Sequence, residues 1–310
     1  MPILTTQKQS NMQRVSFLLL AAGLLATATQ AQQKLDVQAH RGGRALMPEN
    51  TIPAMLHAVD LGAKTLELDC NISSDNKVLV SHDQYMSAEI MLKPDGTPIS
   101  KEEEKQYALY KMTYDSIRRF DAGSKPHPQF PQQVKMKTYK PLLAALIDSV
   151  ELYVKLHHLK PVYYNIETKS QPKGDGIYNP TPDVFVALLM EVIKEKGIAK
   201  RVIIQSFDPR TLQVLHKTYP DQTTALLIGN KDSYETNIAN LGFTPSIYSP
   251  FYTLVTADLV KQAHANNVQV LPWTVNNEAD IKAMGDLGVD GIISDYPDRL
   301  VAVYGSYQTK

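Results

Sequence analysis

Two carboxylates share one face of a short apolar segment near the start of the chain. The run Leu66-Glu67-Leu68-Asp69 has the alternation of a β-strand, in which successive side chains point to opposite faces. Glu67 and Asp69 therefore lie side by side, where burial and mutual repulsion destabilise both charged groups. A bound divalent cation or a shared proton resolves that conflict, and we favour the cation.

A third carboxylate follows a second strand-like segment much further along the chain. Val162–Ile166 is apolar, aromatic and β-branched, and Glu167 and Lys169 after it share one face by the same period of two. His40 and His82 each follow another strand-like run. Oxygen ligands of this type favour Mg²⁺ or Ca²⁺ over zinc, which prefers nitrogen and sulfur.

The first thirty or so residues have the pattern of a secretory signal peptide. Lys8 and Arg14 precede an uncharged stretch over residues 15–28 that is rich in leucine and alanine. The small residues Thr29 and Ala31 then bracket a cleavage point. The apolar stretch is too short to span a bilayer comfortably. An uncleaved N-terminal anchor is the alternative interpretation.

These patterns predict a signal peptide over residues 1–31 and an exported domain over residues 32–310, periplasmic or secreted. The true start is either Met1 or Met12. No later segment is long and apolar enough to cross a bilayer, so we expect no stable membrane insertion after cleavage. The 32 basic and 32 acidic residues give a net charge of zero, which provides no electrostatic reason to expect nucleic-acid binding. The oligomeric state is left open.

Cys70 is the single cysteine, so an intrachain disulfide is excluded. It follows Asp69 directly, and on a strand it would face away from the carboxylates. We interpret it as a packing residue and not as a metal ligand.

Eight strand-like runs alternate with helical periods, which predicts a TIM (β/α)8 barrel. The runs are Val37–Ala39, Thr65–Cys70, Val162–Ile166, Val202–Gln205, Thr224–Ile228, Ser246–Ser249, Gln269–Trp273 and Gly291–Ser294. The helical periods include Pro182–Lys196, Pro209–Tyr219, Ala257–Asn266 and Glu278–Leu287. A doubly wound open sheet is the alternative, but its usual glycine-rich phosphate loop is poorly matched by Gly42-Gly43.

Two segments interrupt this alternation. Val78–Val80 is a ninth strand, and the turn over residues 73–77 before it is too short for a crossover helix. We therefore predict a hairpin on the second barrel strand that carries His82 over the carboxylate end. Residues 84–140, with one short helix over Tyr114–Phe120, are predicted to be an insertion that caps the active-site mouth. A solvated surface elaboration is the alternative.

The ordered motifs resemble those of the glycerophosphodiester phosphodiesterases, metal-dependent TIM-barrel hydrolases related to phosphatidylinositol-specific phospholipases. Each motif is weak alone, but together they span nearly the whole predicted domain in the family's order. The motifs are His40-Arg41-Gly42, Pro48-Glu49-Asn50-Thr51, Glu67-Leu68-Asp69, His82-Asp83, Asn165-Ile166-Glu167-Thr168-Lys169, Gln205-Ser206-Phe207, Trp273-Thr274-Val275-Asn276 and Gly291-Ile292-Ile293-Ser294-Asp295.

The resemblance implies a role for each of eight residues and a cofactor, one divalent cation that is Mg²⁺ or Ca²⁺. The implied roles are metal ligation by Glu67, Asp69 and Glu167, acid–base catalysis by His40 and His82, phosphate binding by Arg41 and Lys169, and a glycerol-pocket wall at Trp273. We assign His40 as the acid and His82 as the base, with the reverse order left open. Phosphodiester hydrolysis needs charge neutralised on the phosphate and needs both an acid and a base, so the set is chemically consistent.

The resemblance implies hydrolysis of a small-molecule glycerophosphodiester to sn-glycerol 3-phosphate and an alcohol. One alternative is phospholipase D-like hydrolysis of lysophospholipids, with an acyl channel lined by Tyr107, Leu109 and Tyr110. Another is a periplasmic binding protein without turnover. A pure binder has no use for two acid–base groups, so His40 and His82 argue against it.

Four further motif residues have ordinary structural interpretations. Asn50 and Thr51 are interpreted mainly as a helix N-cap. Glu49 is interpreted as tying its loop to neighbouring backbone, and Asp295 as closing the last strand before the final helix.

Overall fold

The computed structural model describes residues 1–2 and 35–308, so the predicted cleavage point lies outside the described residues. The elements follow one another in an alternating order. They are β1 (Asp36–Ala39), α1 (Ile52–Leu61), β2 (Thr65–Ile72), β3 (Val78–Val80), α2 (Tyr114–Ile117), α3 (Leu143–Leu156), β4 (Tyr163–Thr168), α4 (Pro182–Glu195), β5 (Val202–Ser206), α5 (Pro209–Thr218), β6 (Thr223–Ile228), α6 (Tyr234–Leu241), β7 (Ile247–Pro250), α7 (Ala257–Ala265), β8 (Gln269–Val270), α8 (Glu278–Asp286), β9 (Gly291–Ser294) and α9 (Pro297–Tyr304).

Eight of the strands form a parallel barrel. Their order is β8-β7-β6-β5-β4-β2-β1-β9, and every neighbouring pair in it is parallel. The ring closes beyond β8, where Asp290 N donates to Val270 O and Ile293 N to Pro272 O, each at 3.0 Å. This closure confirms the predicted TIM barrel and excludes the open sheet.

Side chains along β2 alternate between a face that packs in the apolar core and a face that carries the carboxylates. Leu66 and Leu68 are fully buried in the main apolar core together with Cys70, which confirms that this cysteine is a packing residue. Glu67 and Asp69 point the other way, into the barrel. A smaller interior layer of Ala225, Ile247, Leu271 and Ile293 fills the barrel centre. The alternation of side chains along β2 therefore places both carboxylates inside the barrel, next to this packed apolar layer.

The hairpin predicted at residues 73–77 is confirmed. β3 pairs antiparallel with β2, and its register joins Cys70 to Val80 and Ile72 to Val78. Ser81 N then donates to Asp69 O at 2.9 Å, so the chain after β3 runs back along β2. His82 is consequently brought to the end of the barrel that carries the carboxylates.

Two predicted elements are three residues shorter in the structure. The helix predicted over 114–120 ends at Ile117, because the chain turns so that Asp121 can pair with Leu92. The strand predicted to reach Trp273 ends at Val270, because Pro272 has no N–H to donate. Trp273 nevertheless forms an isolated parallel β-bridge with Phe251, so the chain keeps the direction of the strand beyond Val270.

The insertion over residues 84–140 has a small apolar core of its own and contacts the loop between β1 and α1. Its core includes Met86, Met91 and Leu109. Gln133 donates a 2.6 Å hydrogen bond to the carbonyl of Arg44. The capping role itself stays a prediction. Within the described residues, no helix combines the length and apolar character that crossing a bilayer requires.

Candidate active site

Three carboxylates converge at the carboxyl ends of β2 and β4. The parallel register places Asp69 opposite Glu167, and one oxygen from each of Glu67, Asp69 and Glu167 lies within 4.8 Å of the other two. All three residues are buried. The sequence analysis named these three residues, and the structure brings them together as one acidic triad.

Burial and neighbouring charges shift the pKa values of the three triad carboxylates in different directions. Burial, reinforced by the charge of Asp69, raises the pKa of Glu67 well above its usual range. Burial also raises the pKa of Glu167, against the opposing effect of Lys169. Burial alone would raise the pKa of Asp69, but Lys169 and Arg41 outweigh it and hold that pKa below its usual range. The acidic triad thus carries an electrostatic conflict that a divalent cation relieves.

Hydrogen bonds fix the orientation of two of the carboxylates. Glu67 accepts from Arg41 N at 2.8 Å and from Gln205 Nε2 at 2.7 Å. Asp69 Oδ2 accepts from Asn50 Nδ2 at 2.8 Å, whereas the buried Oδ1 atom has no hydrogen-bond partner among the described residues. An unpartnered buried oxygen inside an all-oxygen donor set fits Mg²⁺ or Ca²⁺.

His40 lies directly beside the acidic triad. Its Nε2 atom is 4.0 Å from Glu67 Oε2, and its Nδ1 atom is 2.5 Å from Asp295 Oδ1. Asn276 donates to the other oxygen of Asp295 at 2.8 Å. Burial lowers the pKa of His40, against the raising effect of Asp295. Burial would raise the pKa of Asp295, but the charge of His40 lowers it to about 2.

Asp295 therefore does more than close the last strand, which corrects the interpretation of it as a purely structural residue. It orients the His40 ring and leaves Nε2 as the nitrogen that faces the site. Asp295 follows β9 while His40 follows β1, and these strands are neighbours in the ring. The pairing of the first and last barrel strands is the signal that could have identified it.

His82 lies in the same cavity as His40, at the end of the hairpin. Its side chain is 35% exposed, and its Nδ1 atom is 3.1 Å from Asp83 Oδ1. Burial would raise the pKa of Asp83, but the hydrogen bond from His82 lowers it. Each histidine thus has a carboxylate on one ring nitrogen and its other nitrogen available.

Two positively charged side chains flank the acidic triad. Lys169 Nζ is 2.8 Å from Glu167 Oε1 and 3.7 Å from Asp69 Oδ1. Burial would lower the pKa of Lys169, but these carboxylates raise it. Arg41 Nε is 3.4 Å from Asp69 Oδ2. Both side chains line the cavity, as expected for groups that face a phosphate.

Two residues of the loop before α1 differ from their expected roles. Glu49 pairs with side chains and not with backbone, since Oε1 accepts from Arg41 at 2.9 Å and Oε2 is 3.0 Å from Arg44 Nε. Thr51 alone caps α1, as predicted for it. Asn50 has a φ of +58° and clamps Asp69 through two hydrogen bonds. Asparagine tolerates a positive φ better than most residues, so the residue type was the only available signal in the sequence.

The cavity has a volume of about 260 Å³ and one aromatic wall. Trp273 lies in that wall, where its Nε1 atom donates to Ser249 O at 2.9 Å and its ring is 5.3 Å from the rings of Phe207 and Phe251. The lining residues are His40, Arg41, Arg44, Glu67, His82, Glu167, Lys169, Gln205, Phe207, Leu227, Trp273, Thr274 and Ile293. Seven of the eight predicted site residues line this cavity, and Asp69 lies beneath it in the acidic triad.

The residues expected to form an acyl channel lie elsewhere. Leu109 is fully buried in the insertion's own core, and Tyr107 packs against that core. Tyr110 packs against the main apolar core. None of the three residues lines the cavity, so the structure does not place the residues expected to form the channel at this site.

Comparison with known proteins gives consistent matches over most of the chain. The glycerophosphoryl diester phosphodiesterase family model matches residues 40–299. A glycerophosphodiester phosphodiesterase from Bacillus altitudinis is 32% identical over 269 residues, covering 86% of this chain and 96% of the relative. Another from Caldanaerobacter subterraneus is 31% identical over 273 residues, covering 86% and 97%. A solved structure assigned to the same class, from Silicibacter pomeroyi, has a TM-score of 0.78 at 27% identity and covers 89% of this chain and 96% of its own.

Proposed function

The chain belongs to the glycerophosphoryl diester phosphodiesterase family and is an enzyme of that class, and we propose that it hydrolyses small glycerophosphodiesters to sn-glycerol 3-phosphate and an alcohol. One observation carries this proposal: the acidic triad, two histidines and two cations converge on a single cavity. A phosphodiester needs this combination because its anionic phosphate must be neutralised while one proton is removed and another is delivered.

The acidic triad would hold one divalent cation, Mg²⁺ or Ca²⁺. When bound, this cation supplies positive charge that stabilises negative charge developing on the phosphate oxygens. Arg41 and Lys169 supplement that charge from the protein side. Their own carboxylate partners fix them in place before substrate arrives, so little reorganisation is needed.

The two histidines share the proton transfers. His40 donates a proton from Nε2 to the leaving alcohol oxygen, since Asp295 holds Nδ1. His82 removes the proton from the attacking oxygen with its own Nε2 atom, since Nδ1 faces Asp83. The greater exposure of His82 suits a base that meets an oxygen entering from solvent.

The size of the cavity favours water-soluble diesters over lysophospholipids. Its volume of about 260 Å³ suits a glycerophosphate group, and the residues expected to line an acyl channel lie in the packed cores. A long acyl chain would therefore remain in solvent.

The decisive experiment measures release of sn-glycerol 3-phosphate from a panel of glycerophosphodiesters. We expect release to stop in EDTA and to return when Mg²⁺ or Ca²⁺ is added. His40→Ala should lower turnover by about two to four orders of magnitude while the variant keeps binding sn-glycerol 3-phosphate. If folded, metal-loaded protein cleaves none of the diesters but binds them, the binding-protein alternative is correct.

Export is a separate proposal that rests on the residues before the described domain. The charged start and the apolar stretch over residues 15–28 support cleavage near Ala31 and release of the domain outside the cytoplasm. Mass spectrometry of protein recovered from the exported fraction of a bacterial host tests it. A mass that retains the first thirty residues would contradict cleavage.

A further inference from the structure

Lys140 is a buried lysine at the end of the insertion, and none of the roles assigned above uses it. The residue is 6% exposed and does not line the cavity. Its carbonyl accepts from the hydroxyl of Tyr114 at 3.3 Å, and Val80 N donates to the carbonyl of Pro141 at 2.8 Å. The backbone of Lys140 is therefore held beside β3, next to the segment that carries His82.

A charged side chain is costly at this position. Burial lowers the pKa of Lys140, and the nearby charges of three carboxylates, Asp83, Glu49 and Asp69, oppose that effect. Among the described residues none of these carboxylates forms an ion pair with Lys140 Nζ, whose single hydrogen bond goes to Ser81 Oγ at 2.6 Å. Taking an ammonium group out of water without a direct ion pair lowers the stability of the fold. Packing alone therefore gives no reason for a lysine here.

The hydrogen bond from Lys140 sets the direction of the Ser81 hydroxyl. An ammonium group can only donate, so Ser81 Oγ accepts from Lys140 and directs its own hydrogen elsewhere. That hydrogen is donated to the carbonyl of Asp83 at 2.7 Å. Asn71 Nδ2 also donates to the carbonyl of Ser81 at 2.6 Å. These hydrogen bonds hold the backbone on both sides of His82, from which the imidazole ring projects.

The charge of Lys140 also acts on the carboxylate that orients the His82 ring. His82 Nδ1 is 3.1 Å from Asp83 Oδ1. Burial would raise the pKa of Asp83, but the hydrogen bond from His82 lowers it, and the charge of Lys140 adds to that lowering. Asp83 therefore stays an acceptor for Nδ1, which leaves Nε2 of His82 available for proton transfer.

We propose that Lys140 is a positioning residue for His82 and acts through the Ser81 hydroxyl and the Asp83 carboxylate. The insertion thus contributes to the reaction through a side chain that does not line the cavity. This role rests on the proposed function, because it requires His82 to transfer a proton. It predicts that removing the ammonium group lowers turnover while substrate binding and stability are kept.

Lys140→Met tests this role, because methionine keeps an unbranched apolar stem and removes the ammonium group. We expect kcat for glycerophosphodiester hydrolysis to fall about 10- to 100-fold, since a misplaced base is inefficient. KM should change by less than about twofold, and Tm should stay within about 3 °C of wild type. Lys93→Met is the matched control, because Lys93 also belongs to the insertion and pairs there with Glu103 at 2.5 Å. It should leave kcat unchanged.

A double-mutant cycle with His82→Ala shows whether the loss passes through the histidine. If Lys140 acts by positioning His82, Lys140→Met should cause no further loss of kcat once His82 is alanine. A general structural defect, or a direct effect of the Lys140 charge on the acidic triad, would lower kcat by the same factor in both backgrounds. That result would overturn the proposal.

Ser81→Ala provides a second test, in case Lys140→Met does not fold. It removes the hydroxyl that links Lys140 to Asp83 and leaves the lysine in place, so kcat should again fall about tenfold with little change in KM. Full turnover in folded Ser81→Ala would contradict the proposal. If metal-loaded wild type cleaves no glycerophosphodiester, the proposed function fails and the role of Lys140 fails with it. Active wild type with an equally active Lys140→Met variant refutes the role of Lys140 alone.

Discussion

His40 and Asp295 are 255 residues apart in the sequence, yet their side chains are joined by a 2.5 Å hydrogen bond. Asn276 fixes the second oxygen of Asp295, so the carboxylate cannot rotate away. A carboxylate in this position sets the imidazole tautomer and stabilises the imidazolium ion. The pair therefore orients His40 toward the acidic triad.

Asp295→Asn tests that relationship. The asparagine oxygen would accept from Asn276, which would point its amide nitrogen at His40 Nδ1 and favour the wrong tautomer. We expect kcat to fall by roughly 10²- to 10⁴-fold, with the melting temperature nearly unchanged. Asp290→Asn is the matched control, because the partly exposed Asp290 carboxylate pairs with His264 and accepts from Val270 N, and it does not line the cavity. Equal loss in both variants would contradict a positioning role.

Removal of one triad oxygen tests the metal site. Asp69 Oδ1 is a buried acceptor with no hydrogen bond from the described residues, so Asp69→Asn should greatly weaken cation binding. We expect Ca²⁺ or Mg²⁺ to raise the melting temperature of the EDTA-treated wild type but not that of this variant. The exposed Asp148 provides the control, and Asp148→Asn should keep the shift. An undiminished shift in Asp69→Asn would mean that the cation binds elsewhere.

Gly42 tests the packing of the loop that carries His40. Its φ is +80°, and a Cβ there would lie 2.9 Å from the backbone carbonyl carbon of Ala54. Gly42→Ala should therefore lower the free energy of unfolding by about 3 kcal/mol. Gly96 has a similar φ of +85° with nothing within 4 Å, so Gly96→Ala should cost about 1 kcal/mol. Chemical denaturation measures both, and equal losses would exclude the steric cause.

His127 predicts a pH dependence of stability. Burial lowers its pKa, Glu49 opposes this, and Arg44 adds to it. Since the folded pKa lies below the unfolded value near 6.5, the unfolded state binds more protons in mild acid. The contribution of His127 to stability is therefore complete above about pH 6.5 and is lost as the pH falls through the pKa of the folded state. Between about pH 7.5 and pH 5, wild type should lose more free energy of unfolding than His127→Gln. If the free energies of unfolding of the two proteins change with pH in parallel, His127 does not cause the pH dependence.

The barrel and the acidic triad could be predicted because both follow from local periodicity. Alternation along β2 put Leu66 and Glu67 on opposite faces, and the structure keeps them there. The short turn before β3 likewise restricted that strand to a hairpin, which brings His82 to the cavity. In each case a few neighbouring residues contained the necessary information.

Contacts that depend on ring closure could not be predicted in this way. Asp295 meets His40 only because β9 returns beside β1, and no local pattern near residue 295 names its partner. The contact between Phe130 and Arg44 is also distant in sequence, because Phe130 belongs to the insertion and its ring lies 5.0 Å from the Arg44 guanidinium. Such partners are set by tertiary packing, which short-range periodicity does not encode.

The residues assigned to hydrolysis and the residues of the aromatic wall come from different parts of the sequence. The groups assigned to bond breaking lie in or directly after β1, β2, β3 and β4, all encoded before residue 170, and only the positioning residue Asp295 comes after β9. Phe207, Leu227 and Trp273 come from the strands between. Random mutagenesis confined to residues 207–274 would therefore vary which molecules enter while sparing the hydrolytic apparatus. Evolution can diversify such an enzyme by changes within residues 207–274 alone.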